Sequence, residues 1–150
     1  MKKQLCSLLT ALALAVGLLP PAARAAENAP SFADVPAAAW YADAVQYVYE
    51  NGLMTGVSES EFAPDGTATR GQIVTFLYRL AGEPDVSGTA LPFTDVAEDA
   101  YYADAVKWAA ANGVTAGTSA TTFSPDDACT RGQIVCMLYR CLLYTSDAAD

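Results

Sequence analysis

Two arginines in this acidic chain recur in the same short context, Thr69-Arg70-Gly71-Gln72 and Thr130-Arg131-Gly132-Gln133. A guanidinium group carries planar, paired N–H donors that match the two oxygens of a carboxylate. Thr and Gln three residues apart are typical of a helix start, where unpaired backbone amides and the helix dipole favour an anion. The two motifs therefore predict two positions that can hold a carboxylate-bearing ligand.

Other recurring side chains can contact a polar ligand. Asp34 and Asp95 can accept hydrogen bonds from hydroxyl groups, and the rings of Trp40 and Tyr101 offer flat apolar faces for stacking. Two loop glycines add backbone that a ligand can approach closely. The predicted ligand-binding residues are Asp34, Trp40, Gly56, Arg70, Asp95, Tyr101, Gly117 and Arg131.

The same residues also have purely structural interpretations, which the sequence leaves open. The two arginines can pair with Asp65, Asp126 or an acid of another unit. The two aspartates can act only as caps or turn formers, Trp40 can belong to the core, and the glycines can serve only loop geometry. Arg79 and Arg140 lie late in their predicted helices, where cations favour the helix dipole, and are assigned to structure.

These residues recur because the chain is a tandem repeat. Phe32-Ala33-Asp34-Val35 returns as Phe93-Thr94-Asp95-Val96, and the later matches keep the same offset without a gap. Such self-similarity is typical of modules whose units pack on one another. The predicted organisation is a signal peptide at 1–25, a lead-in at 26–31, the first repeat at 32–81, a linker at 82–92, the second repeat at 93–141 and a tail at 142–150.

Each repeat is predicted to contain two helices joined by a loop. In the first repeat, the first helix runs from about Trp40 to Glu50 and ends at Asn51-Gly52, because glycine accepts the left-handed backbone of a helix end. The second helix begins at the Thr-Arg motif, where Thr and Gln form a capping box, and its apolar residues follow helical spacing. The predicted fold class is all-α, with tandem helix-loop-helix repeats that pack their second helices into a shared bundle.

The first residues are typical of a secretory signal peptide. Lys2 and Lys3 precede an apolar stretch from Leu5 to Leu19, and Ala23-Arg24-Ala25 offers the small residues that a signal peptidase requires. Cleavage is predicted after Ala25. The apolar stretch is shorter than the roughly 20 residues of a membrane span, and an uncleaved anchor is the alternative.

Composition argues against several classes of function. The net charge of −9 disfavours nucleic acid and anionic lipid as partners. The absence of histidine removes the commonest general base and the commonest metal ligand. Beyond the leader, Cys129, Cys136 and Cys141 crowd at one end, which suits neither a disulfide framework nor a zinc site. We therefore expect no metal, no cofactor and no catalysis.

In order and spacing, the repeats resemble the units of the S-layer homology family. The matching residues of the first copy are Phe32-Ala33-Asp34-Val35, Trp40, Phe62-Ala63-Pro64 and Thr69-Arg70, and those of the second are Phe93, Asp95, Val96, Tyr101, Phe123, Pro125, Thr130 and Arg131. The resemblance implies three units around a three-helix bundle, with ligand in grooves between units. It also implies tethering of an exported protein to secondary cell-wall polymers, often through a pyruvylated sugar. The resemblance further implies which residues bind the ligand: the arginine of the Thr-Arg motif, and the aspartate and the aromatic residue near the start of each unit.

The chain departs from the family pattern in three ways. Gln72 and Gln133 stand where a glutamate is common, although glutamine still closes a capping box. Tyr101 offers a smaller stacking face than Trp40. Only two units are found, and the tail 142–150 resembles read-through from a truncated assembly. We therefore expect the native protein to continue into a third unit and a cargo domain.

The sequence thus predicts a secreted, non-catalytic anchor at the cell wall that binds secondary cell-wall polysaccharide with a pyruvylated end. After signal cleavage, no membrane association is expected. A protein–protein interaction module of the cell envelope is the alternative. A glycoside hydrolase fragment is a second one, because the separation of two carboxylates in space is invisible in sequence. Since Arg70 lies at a predicted helix start and not in the core, Arg70→Ala is expected to weaken wall binding and to leave the helices intact.

Overall fold

The computed structural model describes residues 32–147, and four helices form within them. The helices are α1 (Ala42–Glu50), α2 (Arg70–Leu80), α3 (Ala103–Ala111) and α4 (Arg131–Asp147). This part of the chain has no strands, so the predicted all-α class is confirmed. The predicted leader, with its cleavage after Ala25, and the lead-in 26–31 lie outside the described residues. None of the described helices combines the length and the apolar character that a membrane crossing requires.

Both second helices begin at the predicted capping boxes. The Thr69 hydroxyl accepts a hydrogen bond from the Gln72 amide at 3.2 Å, and the Gln72 side chain accepts one from the Thr69 amide at 2.9 Å. The start of α4 repeats this geometry between Thr130 and Gln133, at 3.3 and 2.9 Å. The reciprocal bonds satisfy two amides at each helix start, and they fix where the neighbouring arginine lies.

The first helix of the first repeat starts later than predicted. α1 begins at Ala42, and Trp40 belongs to the preceding turn, in which the Ala42 amide donates to the Ala39 carbonyl. α1 and α3 are each followed by a glycine, Gly52 and Gly113, with φ of +67° and +69°. Glycine takes up this left-handed conformation without a steric penalty, so both first helices end where it occurs.

α2 holds the two repeats together. It packs most extensively against α3, the first helix of the next repeat, and less extensively against α4. Val74 and Leu77 of α2 are buried in one cluster with Val106 and Trp108 of α3. On the α4 side, the buried Cys141 thiol donates to the Leu77 carbonyl at 3.8 Å. The core therefore lies at the junction between the repeats, where α2, α3 and α4 contribute to one cluster.

Equivalent helix positions of the two repeats differ strongly in solvent exposure. Trp108 of α3 is 1% exposed, and its ring lies against Tyr78 and Tyr144 at centroid distances of 5.7 and 5.5 Å. Its counterpart in α1, Tyr47, is 62% exposed. α3 is covered by a second helix of the preceding repeat, whereas α1 has no such neighbour among the described residues. Tyr144 belongs to the predicted tail, so α4 carries part of that tail into the core.

We predict that Trp108→Ala lowers the free energy of unfolding by about 3–5 kcal/mol, the usual cost of removing a buried aromatic ring. The matched change Tyr47→Ala is expected to cost less than about 1 kcal/mol, because that ring is solvent-exposed. Urea denaturation of dilute protein, followed by far-UV circular dichroism, measures both losses. Equal losses would contradict the unequal burial of the two repeats.

Candidate functional site

Arg70 reaches from the first repeat into the second. Its side chain is 3% exposed, its Nε donates to the Phe123 carbonyl at 2.8 Å, and its Cζ lies 4.8 Å from the centroid of the Phe123 ring. A carbonyl dipole and an aromatic face both stabilise a buried cation. Within 32–147 Arg70 forms no ion pair, so the alternative of pairing with Asp65 or Asp126 is wrong. Its Nη2 is buried without a hydrogen-bond partner among these residues.

The amides at the start of α2 are paired, contrary to the expectation that they are free for an anion. The Arg70 amide donates to the Asp127 carbonyl and the Gly71 amide to the Pro125 carbonyl, both at 2.9 Å. These carbonyls belong to the loop 123–127 of the second repeat, so the neighbouring repeat caps the helix. An anion can reach these amides only if the junction opens.

Gly71 lets the second repeat approach α2 closely. A Cβ atom added there would lie 2.9 Å from Cδ1 of Tyr102 and 3.3 Å from the Pro125 carbonyl oxygen. The first distance is well below the roughly 3.5–4.0 Å of a favourable carbon contact. The Thr-Arg-Gly-Gln motif of the first repeat is therefore the surface on which the turn with Tyr101 and Tyr102 and the loop 123–127 of the second repeat pack.

Asp34 and Asp95 each hold the loop of their own repeat. Asp95 accepts hydrogen bonds from the amides of Phe123 and Ser124 at 2.8 and 2.7 Å. Asp34 forms the same pair of bonds with its own loop, at 2.9 and 2.6 Å. The bonds stabilise Ser124 in a left-handed conformation, with φ of +56°. Both aspartates therefore act as turn formers, and their contact with a ligand stays a prediction.

The pKa of Asp95 lies below its ordinary value. Partial burial raises this pKa, but the amides of Phe123 and Ser124 and the charge of Arg70 together outweigh it. The effect of Arg70 means that its guanidinium and the Asp95 carboxylate, which come from different repeats, lie near each other without forming an ion pair.

The two aromatic candidates are accessible to solvent. Trp40 is 93% exposed, so the alternative that placed it in the core is wrong. Tyr101 is also exposed. Each ring packs edge-on against the next residue, Tyr41 or Tyr102, at centroid distances of 5.4 and 4.8 Å. Both rings are therefore positioned by a neighbouring tyrosine and remain open to a ligand.

A cleft of about 590 Å³ lies between the two repeats. It is lined by the loop after α1, by α2, by Tyr101 at the start of the second repeat, and by Ile134 and Leu138 of α4. Gln72 and Arg79 of α2 contribute polar side chains to it. The cleft thus combines apolar walls with an exposed aromatic ring, an amide and a cation.

A sequence profile of the S-layer homology domain matches residues 31–74 and 92–135, which together make up more than half of the chain. The chain belongs to the S-layer homology domain family. The matched ranges contain both Thr-Arg motifs and both aspartate-bound loops. The family resemblance read from these motifs is confirmed.

Longer proteins contain a region similar to this chain. An endoglucanase of Bacillus sp. (strain KSM-635) is 31% identical over 147 residues, which is 95% of this chain and 15% of that protein. A surface-layer 125 kDa protein of Lysinibacillus sphaericus is 34% identical over 94 residues, 61% of this chain and 8% of that protein. A cell surface protein of Thermoanaerobacter kivui is 29% identical over 115 residues, 74% of this chain and 15% of that protein. The chain therefore spans a small part of each relative.

These similarities place the chain at the cell surface or cell wall. The S-layer homology region is a non-catalytic anchoring domain, and S-layer and cell surface proteins share it. The chain is a cell-surface anchoring module.

Arg79 and Gln72 line the cleft but are not among the ligand-binding residues predicted from the sequence. The Nε of Arg79 lies 3.7 Å from a carboxylate oxygen of Glu83, a long contact for an ion pair. The pKa of Tyr101 is raised chiefly by partial burial, while the Thr69 hydroxyl and the charge of Arg79 act in the opposite direction. Arg79 therefore lies near Tyr101. The sequence held a hint of this, because Arg140 repeats Arg79 at the common offset. A favourable interaction with the helix dipole already explained the position of both arginines, so neither was predicted to bind a ligand.

Gly56 and Gly117 allow close packing inside each S-layer homology unit. A Cβ atom at Gly56 would lie 2.6 Å from Cε1 of Phe32, and one at Gly117 would lie 2.5 Å from Cε1 of Phe93. Gly117 also has a φ of +77°. Loop geometry accounts for both glycines, and their contact with a ligand stays a prediction.

One junction in the described part of the chain brings together three of the predicted site residues, Arg70, Asp95 and Tyr101. There, Arg70 of the first unit lies close to Asp95 of the second, and Tyr101 lies beside the helix start that carries Arg70. Arg131 is exposed at the start of α4, and its side chain forms no hydrogen bond, ion pair or cation–π contact within 32–147. The equivalent set of Arg131, Asp34 and Trp40 is therefore not assembled.

We predict that Arg70→Ala lowers the free energy of unfolding by roughly 1.5–3 kcal/mol, because it leaves the Phe123 carbonyl without its charged donor. The expectation that Arg70 lies outside the core is wrong, because the residue is buried. Arg131→Ala, the matched change at the exposed position, is expected to have an effect of less than about 0.5 kcal/mol. Urea denaturation compares the two variants. Similar effects would argue against a special role of Arg70 at the junction.

We also predict that Asp95→Asn is destabilising at neutral pH and that its difference from the wild type shrinks as the pH falls. A carboxyl whose pKa is lower in the folded state stabilises the protein above its unfolded pKa, near 3.8, and loses this effect as the pH falls through the folded value. Urea denaturation at pH 7 and at about pH 3 measures the difference. Asp99→Asn controls for the loss of one exposed charge, and a pH-independent difference for Asp95→Asn would contradict the assignment.

Proposed function

We propose that this chain anchors an exported protein to the cell wall by binding a secondary cell-wall polysaccharide whose end carries a carboxylate, such as a pyruvylated sugar. The observation that carries the proposal is the cleft between the repeats, with an exposed aromatic ring and a cation in its lining. Membership of the S-layer homology family supports the anchoring role. The predicted leader at 1–25 supports export.

Tyr101 is the stacking residue of this proposal. Its ring is exposed and lines the cleft, and the side-chain amide of Gln72 lines the same cleft. A sugar ring that covers the tyrosine removes apolar surface from water, while the amide can bond sugar hydroxyls. The cleft volume of about 590 Å³ falls within the roughly 300–1,000 Å³ that is usual for ligand sites.

Arg79 is the accessible cation of the proposal. The Arg70 guanidinium is buried, whereas the Arg79 side chain is 29% exposed and lines the cleft. A guanidinium has five N–H donors, so the long contact with Glu83 leaves donors for a carboxylate. In a chain of net charge −9, an anion is expected to bind next to a local cation, and Arg79 supplies one in the cleft. Arg70 is then a positioning residue, because it joins the two repeats that form the cleft.

The remaining candidates take other roles in this proposal. Asp34 and Asp95 keep the loops in shape, and the loop glycines permit their close packing. Trp40 and Arg131 belong to a second site that needs a further S-layer homology unit to complete it. A third unit and a cargo domain in the native protein stay predictions.

We predict that Arg79→Gln weakens binding of the pyruvylated polymer at least about tenfold, because a charge-assisted hydrogen bond contributes roughly 1.5–3 kcal/mol. Arg140→Gln is the matched control, since Arg140 occupies the same position of the second repeat and does not line the cleft. Isothermal titration calorimetry with purified wall polymer, before and after chemical depyruvylation, measures the effect. The variant and the wild type are expected to bind the depyruvylated polymer alike.

Three other outcomes would redirect the proposal. Equal affinity of the wild type for both polymers would contradict a carboxylate-specific site. Wall binding that survives removal of the polymer would favour a protein partner. Release of reducing sugar would favour a glycoside hydrolase.

A further inference from the structure

Glu83, just after α2, has a backbone conformation that a residue with a Cβ atom rarely adopts. Its φ is +52°, and it follows Gly82, which is left-handed as well. Within 32–147, the only other non-glycine residues with a positive φ are Ala63 and Ser124, and both belong to the aspartate-bound loops. Such strained conformations persist only where the surrounding structure holds them, and they cluster at functional sites. We therefore asked what the conformation of Glu83 achieves.

The end of α2 holds the Glu83 backbone on two sides. The Gly82 amide donates to the Arg79 carbonyl at 2.9 Å. The Glu83 amide donates to the Tyr78 carbonyl at 3.0 Å, which completes the Schellman arrangement of a helix end. The Tyr78 hydroxyl then donates to the carbonyl of the next residue, Pro84, at 2.9 Å. The backbone that carries the Glu83 side chain is therefore fixed relative to α2.

This conformation places the Glu83 carboxylate beside Arg79 but outside the cleft. The Arg79 Nε lies 3.7 Å from a Glu83 carboxylate oxygen, and Glu83 does not line the cleft. It lines a separate pocket together with Asp85 and Asp104. At 3.7 Å the contact is an electrostatic attraction and not a hydrogen bond. The Arg79 guanidinium therefore keeps its N–H donors for a ligand.

The cleft itself contains no carboxylate side chain. None of its lining residues is Asp or Glu, although the chain has 17 such residues. Arg79 is the charged residue of the lining, and among the described residues Glu83 is the carboxylate that pairs with it. Glu83 therefore sets the net charge at the point where the proposed function places an anion.

A guanidinium by itself distinguishes poorly between the two common anionic groups of sugars. Carboxylate and phosphate both accept two parallel hydrogen bonds from it. A neighbouring negative charge does distinguish them, because a carboxylate carries one negative charge and a phosphate monoester nearly two above its second pKa, near 6. A fixed carboxylate repels the phosphate about twice as strongly as a carboxylate at the same distance.

We infer that Glu83 is a specificity-determining residue of the cleft, which makes Arg79 accept a ligand end with one negative charge and disfavour one with two. The ligand class is thus a sugar carboxylate and not a terminal sugar phosphate. The left-handed backbone keeps the discriminating charge next to Arg79 but outside the volume that the ligand fills. This inference rests on the proposed function, because it requires an anion at Arg79.

Heteronuclear NMR titration of the isotope-labelled full chain with two probes tests the inference. One probe is a methyl glycoside with a pyruvyl ketal, and the other is the same glycoside with a phosphate monoester, titrated at about pH 8 and low salt. Shifts of the Arg79 and Tyr101 signals report binding in the cleft. The wild type is expected to bind the ketal more tightly, and this preference is expected to shrink as salt is added.

Glu83→Gln is expected to change the ratio of the two affinities by at least about threefold in favour of the phosphate, because it removes the charge that repels the phosphate more. Glu83→Asp keeps the charge and is expected to keep the preference. Glu59→Gln is the matched control, since it removes another exposed carboxylate that neither lines the cleft nor pairs with Arg79. Far-UV circular dichroism checks that each variant is folded.

The binding of the ketal by the wild type separates the two possible failures. If the wild type binds the ketal in the cleft but Glu83→Gln leaves the ratio of affinities unchanged, the role of Glu83 is wrong and the proposed function stands. An equal change in Glu59→Gln would also overturn the inference, because the effect would then come from net charge alone. A wild type that binds neither probe would overturn the proposed site at Arg79, and the inference with it.

Discussion

The hydrogen bond from the Arg70 guanidinium to the Phe123 carbonyl determines how one repeat sits on the next. A buried cation is costly unless oriented dipoles replace its hydration, and here a loop of the following repeat supplies them. The same loop caps the amides of α2 with the carbonyls of Pro125 and Asp127. A shift of the loop by one residue would break all of these bonds together. The orientation of α3 on α2, and therefore the shape of the cleft, follows from this contact.

Burial in this protein depends on the neighbouring unit more than on the residue type. The two repeats follow one sequence plan, yet α3 is packed on both its turn and its helix face while α1 is largely exposed. In a repeat protein each unit contacts its neighbours and little else. A residue of such a chain therefore has an environment that depends on its position in the array, as the contrast between Trp108 and Tyr47 illustrates.

Local patterns made the helices predictable from the sequence, and long-range register made the site harder to predict. The capping boxes at Thr69 and Thr130 depend on residues three apart, so the sequence alone reveals them. The burial of Arg70 depends on a loop 53 positions away, and no local pattern encodes that contact. The place of Arg79 in the cleft was hard to predict for a similar reason, because it depends on the second repeat, whereas the helix-end position of Arg79 has a sufficient local explanation.

The aspartate-bound loops affect the order in which parts of the structure can form. Each carboxylate closes its loop within a single repeat, so the entropy cost of closing the loop does not involve the neighbouring repeat. The carbonyl surface of a repeat can thus take its final shape before any neighbour exists. Joining two repeats then becomes contact between surfaces that are already rigid, which lowers the ordering cost of association.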